Sequence, residues 1–104
     1  MINLLKKLSK KSDHKSYKHA TLIMKGGALL SVGYNHGELH SEVVAIKKLW
    51  PNKRLGTTVI NIRTKKDGSI GNSYPCQDCL HLLKTAGVKK LIVYTSIGYI
   101  QERL

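Results

Sequence analysis

Pro75-Cys76-Gln77-Asp78-Cys79-Leu80-His81-Leu82-Leu83 sets two thiols one turn apart at the start of a helical pattern. The helix reads as Cys76 to Ala86, with Cys79, Leu82, Leu83 and Ala86 on its inner face. Pro75 suits the first helical position, and Gly87 is placed to cap the far end. Exposed N–H groups and the positive dipole end favour thiolates at such a helix start.

Two cysteines spaced C-x-x-C serve as a local disulfide, a redox pair or metal ligands. The first eleven residues show neither a continuous apolar run nor a small-residue cleavage site, so a reducing, cytoplasmic setting is expected, where metal binding is favoured. No stretch approaches the roughly 20 apolar residues that span a bilayer, and no membrane partner is expected. Zinc takes four ligands, and there is no third cysteine, so another protein ligand must be His, Asp or Glu.

His40-Ser41-Glu42 is the best-placed supplier. Val43, Val44, Ile46, Leu49 and Trp50 follow at helical spacing until Pro51 stops the helix, so His40 stands at a second helix N-terminus. If the two helices lie side by side, His40, Cys76 and Cys79 hold zinc and leave one position for water. Glu42 is then a proton carrier for that water, provided His40 occupies the half-helical end from which both side chains reach forward. His36 or His81 in the fourth position would make the zinc structural and leave Glu42 without a role.

The remaining pattern supplies a scaffold. Ala20 to Met24 and Leu29 to Tyr34 flank Lys25-Gly26-Gly27-Ala28 as a β-hairpin. Thr57 to Thr64 and the apolar run Leu91 to Tyr94 read as further strands, and Ser96-Ile97-Gly98 turns the chain into a last antiparallel strand, Tyr99 to Arg103. Strands alternating with helices point to an α/β fold, a mixed sheet sandwiched by helices. Residues 1–18 read as a basic amphipathic helix, with Ile2, Leu4, Leu5 and Leu8 on its apolar side, and a linker; residues 19–104 form the catalytic domain.

Together, H-x-E followed by P-C-x-x-C resembles the signature of zinc-dependent nucleobase deaminases, the cytidine/deoxycytidylate deaminase superfamily. The similarity runs from about His19 to Tyr99. It implies a three-layer α/β/α domain around a five-stranded mixed sheet, with Zn2+ on His40, Cys76 and Cys79. It further implies that hydroxide attacks C4 of cytosine, or C6 of adenine, while Glu42 shuttles the proton and ammonia leaves, with cytosine preferred on the S-x-P-C resemblance and the hairpin ending. Asn35 matches the position that contacts the target sugar in relatives, with Tyr34 and His36 beside it as further substrate contacts. Ser73-Tyr74-Pro75-Cys76 is similar to the S-x-P-C of polynucleotide cytosine deaminases, where backbone before the proline meets the exocyclic amine, and Tyr94 matches an aromatic set against the base. Ser41 departs from the commoner Ala, and the terminal hairpin resembles the branch holding free-cytidine deaminases and bacterial toxin deaminases.

At 104 residues the chain fits one domain, and a formal charge of +12 marks it as a partner for phosphate. Glu38, Glu42 and Asp78 lie in or beside the motifs, which leaves the remaining surface almost wholly basic. The expected substrate is therefore cytosine in single-stranded DNA or RNA. The alternatives are free cytidine or deoxycytidine nucleosides and nucleotides, or a non-enzymatic nucleic-acid-binding module with structural zinc.

Overall fold

The computed structural model describes residues 2–11, 18–36 and 39–104. The expected linker before Lys18, including His14, lies outside these residues, as do Glu38 and the side chain of Leu8. β1 (Lys18–Lys25) and β2 (Ala28–Tyr34) form the expected hairpin, turning on Gly26 and Gly27 at φ 57° and 80°, a conformation that glycine adopts without a Cβ penalty. β3 (Thr58–Thr64), β4 (Lys90–Thr95) and β5 (Gly98–Arg103) complete a five-stranded sheet in the order β2-β1-β3-β4-β5. Only β3 and β4 run parallel, because the helix between them carries the chain back across the sheet. β5 returns antiparallel to β4, as the turn at Ser96-Ile97-Gly98 predicts.

Alternation along the strands divides the core between two faces. Ala20, Leu22, Ile60 and Ile62 pack on one face with the fully buried Leu5 of α1 (Ile2–Ser9). Ile23, Val59, Leu91 and Val93 pack on the other with Ala45 and Ile46 of α2 (Ser41–Lys47). Leu83 belongs to the same cluster and comes from a later helix, α4 (Gln77–Thr85). The architecture is thus the three-layer α/β/α arrangement expected of the sequence.

Two boundaries differ from expectation. α2 ends at Lys47, and Pro51 opens a further short helix, α3 (Pro51–Arg54), instead of terminating the previous one. Proline's fixed φ and missing N–H suit that first position. Conversely, Pro75 lies before the helix: Cys76 is the N-cap in extended conformation, φ −65° and ψ 166°, and Gln77 is the first helical residue. The C-terminal end of α4 is as anticipated. Gly87 at φ 87° lets its own N–H reach Lys84 O and that of Val88 reach Leu83 O, which satisfies two otherwise orphaned carbonyls.

Candidate metal centre

Two crossovers bring both motifs to the same sheet edge, where β1 begins and β2, β3 and β4 end. α2 sits close on β2 because Gly33 has no side chain: a Cβ there would come within 2.6 Å of Ser41 O and 2.8 Å of Ala45 N. His40 is the N-cap of α2, extended at φ −76° and ψ 148°, which is the half-helical end that the position of Glu42 requires. Neither His40 nor Cys76 caps its own helix with a side-chain hydrogen bond. The two caps face each other instead.

His40 Nδ1 lies 3.1 Å from Cys79 Sγ and 3.7 Å from Cys76 Sγ. All three ligand atoms fall within 4.8 Å of one another, the metal-capable cluster among the described residues. Tetrahedral zinc, with bonds of about 2.3 Å to sulfur and 2.0–2.1 Å to nitrogen, spaces N and S ligands by about 3.5 Å. The observed separations bracket that value. Burial pushes the Cys79 thiol far above its ordinary range, with the nearby Glu42 carboxylate and the Cys76 thiol adding to the shift. A doubly charged cation relieves both costs, so the donor set fits zinc.

Glu42 is 4% exposed, and its Oε1 accepts a 2.9 Å hydrogen bond from Ser41 Oγ. This carboxyl is therefore held beside the trio instead of drifting into solvent. His40 and Cys76 are exposed while Cys79 is buried, so the trio opens outward from a closed floor.

The other residues singled out in the sequence occupy different environments. Asn35 is buried, with Oδ1 accepting from His19 N at 2.9 Å. Tyr34 is half-buried at the end of β2, and His36 is exposed in a bridge with Leu39. Ser73 is 1% exposed, and its hydroxyl donates to the carbonyls of Asn61 at 3.3 Å and Tyr94 at 3.2 Å. Its side chain clamps the irregular segment before α4 to β3 and β4. Tyr74 is exposed and donates its hydroxyl to Glu102 Oε2 at 2.7 Å, which raises the phenol pKa. Tyr94 packs on the α1 face of the sheet, its ring edge-on to Tyr99 at 6.0 Å. His81 is exposed on α4.

Sequence reading overlooked three buried polar side chains on the α2/α4 face, Thr21, Asn61 and the hydroxyl of Ser41. Their signal was present: Thr21 and Asn61 interrupt otherwise apolar strands at positions that alternation turns toward the core.

The model of the cytidine and deoxycytidylate deaminase zinc-binding region matches residues 1–95. Among solved structures, dCMP deaminase from the cyanophage S-TIM5 aligns with a TM-score of 0.68 and 23% identity over 90% of this chain and 79% of its own. Acinetobacter baumannii RibD aligns with a TM-score of 0.68 and 20% identity over 90% of this chain, which spans 27% of the RibD chain. At these identities the likeness is one of fold. No curated protein sequence matches. With the family model covering most of its length and a His/Cys/Cys donor set in place, the chain belongs to the cytidine and deoxycytidylate deaminase zinc-binding family.

Proposed function

We propose that the protein deaminates cytosine in cytidine or deoxycytidine nucleotides, consuming water and releasing ammonia and the uracil nucleotide. The observation that carries the reading is a buried carboxylate, Glu42, held in the first turn of the helix whose N-cap, His40, completes an open trio with Cys76 and Cys79. His40, Cys76 and Cys79 would hold zinc, which when bound would supply a nucleophile at neutral pH by lowering the pKa of water from 15.7 to about 7. Glu42 would be the group that takes up a proton and returns it to the departing amine. The donor atoms are one imidazole nitrogen and two cysteine sulfurs. The nucleotide class is supported by the deoxycytidylate deaminase family and by the fold shared with a dCMP deaminase.

A second reading, cytosine within a single strand, is favoured by the distribution of charge. Lys6, Lys10, Lys18, Lys65 and Lys66 line a cavity of about 400 Å³. It lies across the sheet from the trio, at the same strand end, where β1 begins and β3 ends. A polyphosphate backbone passing the site would meet this cavity.

Release of ammonia and uracil product from cytidine, dCMP and a single-stranded oligonucleotide by zinc-replete protein tests the assignment. Turnover of dCMP is expected. Turnover confined to the oligonucleotide selects the second reading, and inertness toward all three overturns both.

A further inference from the structure

Glu42 is the end of a polar row that crosses the α2/α4 side of the sheet. Its Oε1 accepts from Ser41 Oγ at 2.9 Å, and Ser41 Oγ lies 2.7 Å from Thr21 Oγ1. Thr21 Oγ1 contacts Asn61 Oδ1 at 2.6 Å, and Asn61 Nδ2 donates to Ser73 O at 3.4 Å. The row joins α2, β1, β3 and the segment that leads into Cys76. Thr21 and Ser41 are fully buried, and Asn61 is 1% exposed.

Apolar residues would fill these three positions at lower desolvation cost, since their neighbours on the same face are Ile23, Ala45, Val59 and Val93. The row gains from connection. Ser41 fixes one oxygen of Glu42 and leaves Oε2 for chemistry; Thr21 holds Ser41; Asn61 holds Thr21 on one side and the Ser73 backbone on the other. Two hydroxyl hydrogens satisfy only two of the three short contacts at a time: with Ser41 donating to Glu42, the Thr21 hydrogen goes either to Ser41 or to Asn61 Oδ1.

We propose that Ser41, Thr21 and Asn61 are positioning residues that lock the Glu42 carboxyl and the Ser73–Cys76 segment into one frame. The proposal rests on the deaminase reading for the work Glu42 does. Residues of this kind behind a metal site typically change activity by about 10–100-fold when lost. None of the three hydrogen-bonds a metal donor, so zinc content measured beside turnover separates an effect on Glu42 from loss of the site.

The test compares zinc-replete Ser41→Ala, Thr21→Val, Thr21→Ser and the parent, with zinc content measured for each. Ser41→Ala and Thr21→Val are expected to lower kcat on dCMP or the oligonucleotide by about tenfold or more, with KM and zinc content near the parent's. Thr21→Ser, which keeps the hydroxyl, is expected to recover most of kcat. Urea unfolding of the metal-free proteins provides a readout independent of turnover. The midpoint shift of Ser41→Ala/Thr21→Val should fall short of the sum of the single shifts, as coupled neighbours require. A kcat within twofold of the parent in Thr21→Val, a kcat loss that tracks zinc loss, or additive midpoint shifts would overturn the proposal. A parent inert on every cytosine substrate would overturn the deaminase reading instead, and the midpoint shifts would still report whether the row is coupled.

Discussion

His40 and Cys76 are N-caps of two different helices, and their side chains meet across the gap with Cys76 Sγ 3.7 Å from His40 Nδ1. Each gives up the local role of an N-cap side chain, which is to accept from its own helix. What the helices lose in capping they regain when a cation binds between the caps. Cys79, one turn into α4, supplies the buried third donor.

Removing one member of this arrangement separates binding from turnover. Glu42→Gln is expected to keep stoichiometric zinc and lose about 10²–10⁴-fold in turnover, the usual range for a positioned proton carrier. Cys76→Ala leaves His40 and Cys79 as the remaining trio donors and is expected to lose both metal and activity. Metal analysis beside an ammonia-release assay checks the pair. Retained deamination in Glu42→Gln would remove Glu42 from the mechanism.

Gly33 sets how closely α2 approaches the sheet. Gly33→Ala puts a methyl group within 2.6 Å of the Ser41 carbonyl, a backbone atom that cannot swing away like a flexible side chain. The first turn of α2 must move, and His40 and Glu42 with it. A loss of about 1–3 kcal/mol in urea unfolding is expected, together with weaker zinc binding. Full zinc affinity in this variant would show that α2 can shift without disturbing its cap.

The hairpin, the antiparallel last strand and the helix starts that carry the metal donors were legible because each follows a local rule. The glycines of the turns and the N-terminal patterns around His40 and around Cys76 can be read in short windows, whereas joining the two rests on a motif whose halves stand 36 residues apart. Pro51 and Pro75 exchanged roles because proline fits both a helix start and the residues outside it, and tertiary contact decides between them. At Pro75 the helix starts one residue later than read, with Cys76 as an extended N-cap whose thiol faces His40. The polar row escaped for a different reason. Thr21, Ser41 and Asn61 meet only after α2 and two strands have packed, and alternation marks a position as buried without naming its partner.

The lysine cavity gives the two substrate readings different salt behaviour. Lys10, Lys65 and Lys66 line its exposed rim. If a single strand runs there, replacing all three by alanine should lower the steepness of log K against log salt by about 2, at roughly 0.7 per phosphate contact. Turnover of dCMP should change less than twofold. Oligonucleotide binding measured at several salt concentrations checks this, and an unchanged slope would place any bound strand elsewhere.

The state of Cys79 fixes the sign of the pH dependence. Burial, the Glu42 carboxylate and the Cys76 thiol raise its pKa, so in the metal-free fold it is a neutral thiol at pH 7 and zinc must displace its proton. Affinity should therefore rise with pH, by about tenfold per unit for each proton displaced. The stability of the metal-free protein should move the other way. A thiol whose folded pKa lies above its unfolded value contributes fully below the unfolded value, about 8.5, and its contribution is lost as pH rises toward the folded one. Above pH 8.5 the unfolded chain sheds a proton that the fold retains, so metal-free protein should unfold at lower urea at pH 9.5 than at pH 7.5. Cys79→Ser should flatten this difference. Zinc titration in two buffers of different ionisation enthalpy reads the proton release directly, and zinc binding with no proton released would mean that Cys79 is already a thiolate in the empty fold.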